Sequence, residues 1–87
     1  MRPEEALKIV DELRQRNNIE LLKILEDEQR AEAEREHKLL EVSDPSERNR
    51  LEKIFGIERA KASERIVKTS TEHEIQLGIE MKRLGLA

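Results

Sequence analysis

The chain has 87 residues, with 43% of them charged, a net charge of −3, no cysteine and one aromatic side chain, Phe55. Interspersed Lys and Glu without a basic excess exclude a nucleic-acid footprint, and one aromatic leaves no base-stacking platform. The absence of Cys excludes disulfides, thiolate metal sites and cysteine nucleophiles. With no signal peptide and no long apolar run, the expectation is a cytoplasmic protein that meets no membrane, and the abundance of Glu, Lys, Arg and Ile is thermophile-like.

Proline and glycine are sparse and no segment alternates apolar and polar residues over a strand's length, so the chain reads as all-α in a single domain over residues 1–87. Pro3 suits a first helical turn, and Ala6, Ile9, Val10 and Leu13 form a short apolar stripe. This gives an N-terminal helix over 1–17, ended by Asn17-Asn18. A second helix is expected over 19–42, stopped at Ser43-Asp44-Pro45. There Asp44 can cap, Pro45 suits the first helical position, and Glu47 completes a capping box. The third helix spans 45–84, with a kink or break expected at 69–71 or at Gly78. The short turn makes the long helices antiparallel neighbours. An 87-residue chain so poor in large apolar side chains cannot bury enough surface alone, so homo-oligomerisation is expected.

A helical wheel sorts the polar residues. On the second helix Leu21, Ile24, Leu25, Ala31, Leu39 and Val42 share a side, with Glu28 in its middle and Glu32 and Arg35 close by. On the third helix Leu51, Ile54, Phe55 and Ala62 define the inner side, with Glu58 in its middle and Lys61 and Arg65 beside it. A turn centred near Ser43 sets Glu28 about level with Glu58. Two facing carboxylates repel and raise a pKa unless a metal or a basic side chain lies between them. Lys61, one turn beyond Glu58, supplies the second solution.

Glu34 and His37 have the E-x-x-H spacing of a helical metal site, but point away from the apolar stripe and read as solvated. His73 has Ser70, not Glu, three residues before it, and reads as exposed or capping. The sequence holds no Gly-rich phosphate loop and no assembled nucleophile triad. The segment from Ile75 to Leu86 carries Leu77, Ile79, Met81, Leu84 and Leu86. It reads as a final helix covering a core or a neighbour, and alternatively as a docking segment for a protein partner.

The pattern Glu28-x-x-Ala31, Ser43-Asp44-Pro45, Leu51-x-x-Ile54, Glu58-x-x-Lys61 resembles the ferritin-like superfamily over roughly residues 19–66. It is similar in particular to the two-helix half-bundle of rubrerythrin-type proteins and encapsulated ferritins. The resemblance implies that two copies pair into a four-helix bundle, and that Glu28 and Glu58 are candidate metal ligands for Fe or Mn. The chain departs from the family where Lys61 replaces the metal-binding His, Arg35 the frequent Tyr, and Ile57 the first Glu of the E-E pair. An ammonium is no ligand for iron and competes for the same carboxylates. Leu77-Gly-Ile and Leu84-Gly-Leu are faintly similar to the short tails that address cargo to encapsulin shells.

Three readings follow. The leading one is a homo-oligomeric ferritin-like hairpin, structural or binding, with no cofactor, in which Lys61, joined by Arg35 and Arg65 from a partner chain, neutralises Glu28 and Glu58, with Glu32 in the same charge network. The second is a carboxylate-bridged iron or manganese protein with ferroxidase or storage activity, and the third a coiled-coil adaptor.

Overall fold

A computed structural model describes residues 1–86, which form two helices of 39 residues each, α1 (Pro3–Glu41) and α2 (Pro45–Arg83). At 1.5 Å per residue each is about 58 Å long, and the three-residue connection folds them into an antiparallel hairpin of 65 × 16 × 9 Å. The radius of gyration is 19.6 Å, against about 12 Å for a compact chain of this length. The accessible surface of 7008 Å² likewise exceeds the roughly 5,300 Å² of a compact monomer of this mass.

The turn is built as its residues require. Pro45 occupies the first turn of α2, and Asp44 caps it by accepting from the Ser46 amide at 3.3 Å. At the other end Gly85 takes φ +75, Gly85 N donates to Lys82 O, and Leu86 N donates to Met81 O. That pair of bonds closes a Schellman motif, which needs the left-handed conformation glycine adopts without penalty.

No break occurs at Asn17-Asn18: α1 runs through both as one helix, so the separate N-terminal helix expected over 1–17 is the first part of a longer one. An interior Asn costs only about 0.7 kcal/mol relative to Ala. The apolar stripe on either side continues in phase, with Ala6, Val10 and Leu13 buried before it and Leu21 and Ile24 half-buried after it. Nor is α2 interrupted at Thr69-Ser70-Thr71 or at Gly78. Thr69 and Ser70 are half-buried in the seam, where packing outweighs their weak helix propensity.

The buried and half-buried positions of α1 and of the residue that follows it are Ala6, Val10, Leu13, Asn17, Leu21, Ile24, Glu28, Ala31, Arg35, Leu39 and Val42, with Ile9, Leu25 and Glu32 at the margin. They step by three or four residues, with paired steps of four at two places. The average is about 3.6, the period of a straight helix and not of a heptad supercoil. The antiparallel register sets Ala6, Val10 and Leu13 alongside the last turns of α2, where Leu77, Met81 and Leu84 are half-buried. The C-terminal segment thus covers a core, although Ile79 stays 63% exposed.

On α2 the inner side is rotated from the expected one. Phe55 is buried, but Ile54 lies outside at 44% exposure, and Ile66 and Leu77 turn inward instead. Among the described residues just four apolar side chains are buried, Ala6, Val10, Leu13 and Phe55, while Leu7, Ile19, Leu22, Ile57, Val67 and Ile75 are exposed. Among the described residues no helix is long and apolar enough to cross a membrane.

Phe55 is the largest buried side chain, so Phe55→Ala is expected to cost about 3 kcal/mol of stability in denaturant titration. A Cβ added at Gly78 meets nothing within 4 Å. Gly78→Ala should therefore stabilise by about 0.5 to 1 kcal/mol, which a higher denaturation midpoint would reveal.

Candidate functional site

The most developed polar cluster lies two-thirds of the way along α1, where a buried arginine meets three carboxylates. Side chains on a helix lean toward its N-terminus, so Arg35 reaches back two turns along α1. Its Nη1 donates to Glu28 Oε1 at 2.7 Å and lies 3.6 Å from Glu32 Oε2. Its Nε lies 3.7 Å from Glu58 Oε2 across the seam, an ion-pair distance without a hydrogen bond. The Arg35 side chain is 9% exposed, against 28% for Glu28, 31% for Glu32 and 45% for Glu58. The guanidinium thus lies inside and the carboxylates surround it toward solvent.

A second arginine extends the cluster. Arg59 of α2 holds Glu32 of α1 through Nε at 2.7 and 2.8 Å to the two carboxylate oxygens, and through Nη2 at 2.6 Å to Oε1. This forked contact between planar groups is the strong form of the ion pair. The Arg59 hydrogen bonds hold the Glu32 carboxyl below the ordinary glutamate range; partial burial opposes this, and the charges of Arg59 and Arg35 reinforce it. Arg35 is raised chiefly by its hydrogen bond to Glu28, and Arg59 by its hydrogen bonds to Glu32.

The arrangement differs from the expected one in register and in membership. Glu32 faces Arg59, Arg35 faces Glu58, and Glu20 faces His73. These pairs set Glu28 level with 63–65, more than a turn away from Glu58, and it lines a groove with Ala62 and Ser63. Glu28 and Glu58 are therefore not level; Arg35 spans the offset between them. Lys61 and Arg65 are exposed and take part in none of the ion pairs among the described residues, so Arg35 and Arg59 supply the positive charge instead. Arg59 escaped the wheel because the inner side of α2 was centred on Ile54 and Glu58; centred on Phe55, Ile66 and His73, it includes Arg59.

The two histidines separate. His37 is 72% exposed and meets Glu41 at 2.9 Å, one turn along the same helix, as a solvated residue does; Glu34 is exposed beside it. His73 is not the exposed residue expected: its side chain is 14% exposed, it lines a groove with Asn17 and Ser70, and its Nε2 lies 3.3 Å from Glu20 Oε2. Among the described residues no group of three or more His, Cys, Asp or Glu is placed to hold a metal ion. No family model, curated protein or solved structure matches the chain.

Because the Glu32 carboxyl is depressed in the folded state, its contribution to stability is complete above the unfolded-state value. That contribution is lost as pH falls through the lower folded-state value. Thermal melts should therefore be flat from neutral pH to the ordinary glutamate range and then fall in acid. In Glu32→Gln the acid limb should be shallower and the neutral-pH melting temperature lower; an unchanged acid limb would exclude Glu32 as the titrating group.

Proposed function

We propose that this protein is a self-associating helical hairpin with a structural or binding role, in which arginine takes the place between carboxylates that a metal ion holds in ferritin-like proteins. The observation that carries this reading is Arg35, buried at 9% exposure with Glu28, Glu32 and Glu58 around it. A guanidinium gives up water only when its donors are engaged, and one fixed among three carboxylates competes with any other cation for them. Arg59 holds one of these carboxylates, Glu32, from the other helix as well.

Self-association is supported by the shortage of core. Four buried apolar side chains do not offset the ordering of a chain this long, whose conformational entropy cost is about 1 kcal/mol or more per residue. The ferritin-like resemblance bears on architecture in this reading: two hairpins give four helices, the arrangement in which each helix finds two neighbours.

Two measurements test it together. Sedimentation equilibrium should return a multiple of the 10.2 kDa chain mass; a well-folded monomer at every concentration would sink the self-association. Elemental analysis of protein purified without chelator, and titration with ferrous or manganous ions, should find no stoichiometric metal in the native protein. Stoichiometric metal that disappears in Glu28→Ala or Glu58→Ala would replace this reading with the metal-binding one. In Arg35→Met, which leaves the carboxylates without their central cation, the melting temperature should fall, and Glu28→Gln added to it should restore part of the loss.

A further inference from the structure

We infer that one long face of the hairpin is a trough that seats a second copy of this chain, face to face; this rests on the proposed self-association and names the surface that carries it. Two grooves open between α1 and α2, one including Leu21, Ser70 and Leu77 and the other Leu25, Ser63 and Ile66. Leu25 follows Leu21 by four residues and Ser70 follows Ile66 by four, so each pair lies on one helix face and the grooves join end to end. The lining is mostly polar, with Leu21, Leu25, Ile66 and Leu77 as its large apolar side chains, and two of the α2 positions are serine, which lets another helix approach closely.

The charges on this face point to a second copy as the occupant. At one end α1 contributes Arg14 and α2 contributes Glu74; at the other α1 contributes Glu32 and α2 contributes Arg59. The signs therefore alternate both along each helix and across the seam. A two-fold axis in the plane of the face, along the trough or across it, brings every cation of one copy over a carboxylate of the other. A surface that complements itself in this way is what an isologous dimer requires. Among the described residues neither Arg14 nor Glu74 makes an ion pair within the chain, so both are open to a partner.

The area agrees. The hairpin exposes 7008 Å², roughly 1,700 Å² more than a compact monomer of its mass. That excess lies in the range each subunit hides in an obligate homodimer, about 1,000 to 2,500 Å².

The test compares two full-length variants by sedimentation equilibrium, with helicity followed by circular dichroism. Ser63 is exposed in the single hairpin, so Ser63→Trp fills the trough without disturbing either helix. Its dimer dissociation constant should rise by about 30-fold or more, as for a blocked central contact. Ile57, 59% exposed, stands nine residues from Ile66, about two and a half turns, and so on the opposite side of α2. Ile57→Glu should change dissociation by no more than a few-fold. If Ile57→Glu weakens association as much as Ser63→Trp or more, the trough is not the interface, although self-association stands. A wild-type chain that is monomeric throughout would overturn both. Should Ser63→Trp fail to fold, Arg14→Glu asks the same question of an exposed side chain: dissociation about tenfold easier supports the trough, and no change overturns it.

Discussion

A guanidinium can sit in the seam of this hairpin because three carboxylates reach it there, and that requirement sets how the two helices align. Arg35 is drawn back along α1 by Glu28 and held across the seam by Glu58, while Arg59 answers from α2 to Glu32. Apolar seams tolerate slippage, since one leucine can replace another against a neighbouring turn. Charged seams do not, because sliding α2 by one turn would take Glu58 away from Arg35 and Arg59 away from Glu32, leaving a buried cation half-satisfied. The lower pair, Glu20 with His73, obeys the same register. The polar layers thus specify an alignment that Ala6, Val10, Leu13 and Phe55 would stabilise without specifying.

The alignment decides what the cluster can do. With Glu28 and Glu58 level and a gap between them, two carboxylates would invite a cation from solution. Offset by more than a turn, they are instead both within reach of one arginine from a position between them. The chemistry of the site follows from register and side-chain length, since a lysine at position 61 on the outer side of α2 points its ammonium to water.

Much of this was legible in the sequence, and the parts that were not have physical causes. The helical class, the Asp44-Pro45 turn, the inward side of α1 with Glu28 on it, and the solvated Glu34 and His37 all follow from local pattern, which depends on neighbours three or four residues apart. The continuity of α1 through Asn17-Asn18 was hidden because two weak helix formers were weighed by their propensity, whereas the half-buried Asn17 is decided by packing across the seam. Arg59 is hidden in the sequence because the exposed Ile54 draws the apparent centre of the α2 stripe away from it; His73, about five turns from Phe55, shares that residue's side, and the absence of Glu at position 70 says nothing about its burial. A wheel gives the width of a stripe, and a helix with apolar residues on several sides, as α2 has at Ile54, Ile57, Ile75 and Ile79, has no unique centre.

The straightness of the seam bears on how such a hairpin fills its unburied surface. A strict heptad would wind α1 and α2 around each other, and the face they share would rotate along their length. Steps averaging about 3.6 residues keep the same side of each helix facing the partner over ten turns, so the side adjoining it also stays in one plane. Residues as far apart as Arg14 and Glu32 on α1, or Arg59 and Leu77 on α2, can then belong to one flat face. A molecule only 9 Å across in its thinnest Cα extent has no depth in which to hide apolar side chains, and a second layer of helices is the simplest way to supply it. The same polar groups that set the internal register also reach that outer face: Glu32 and Arg59 line the groove as well as pairing across the seam. Intrachain alignment and any pairing between chains are therefore governed by the same few charges.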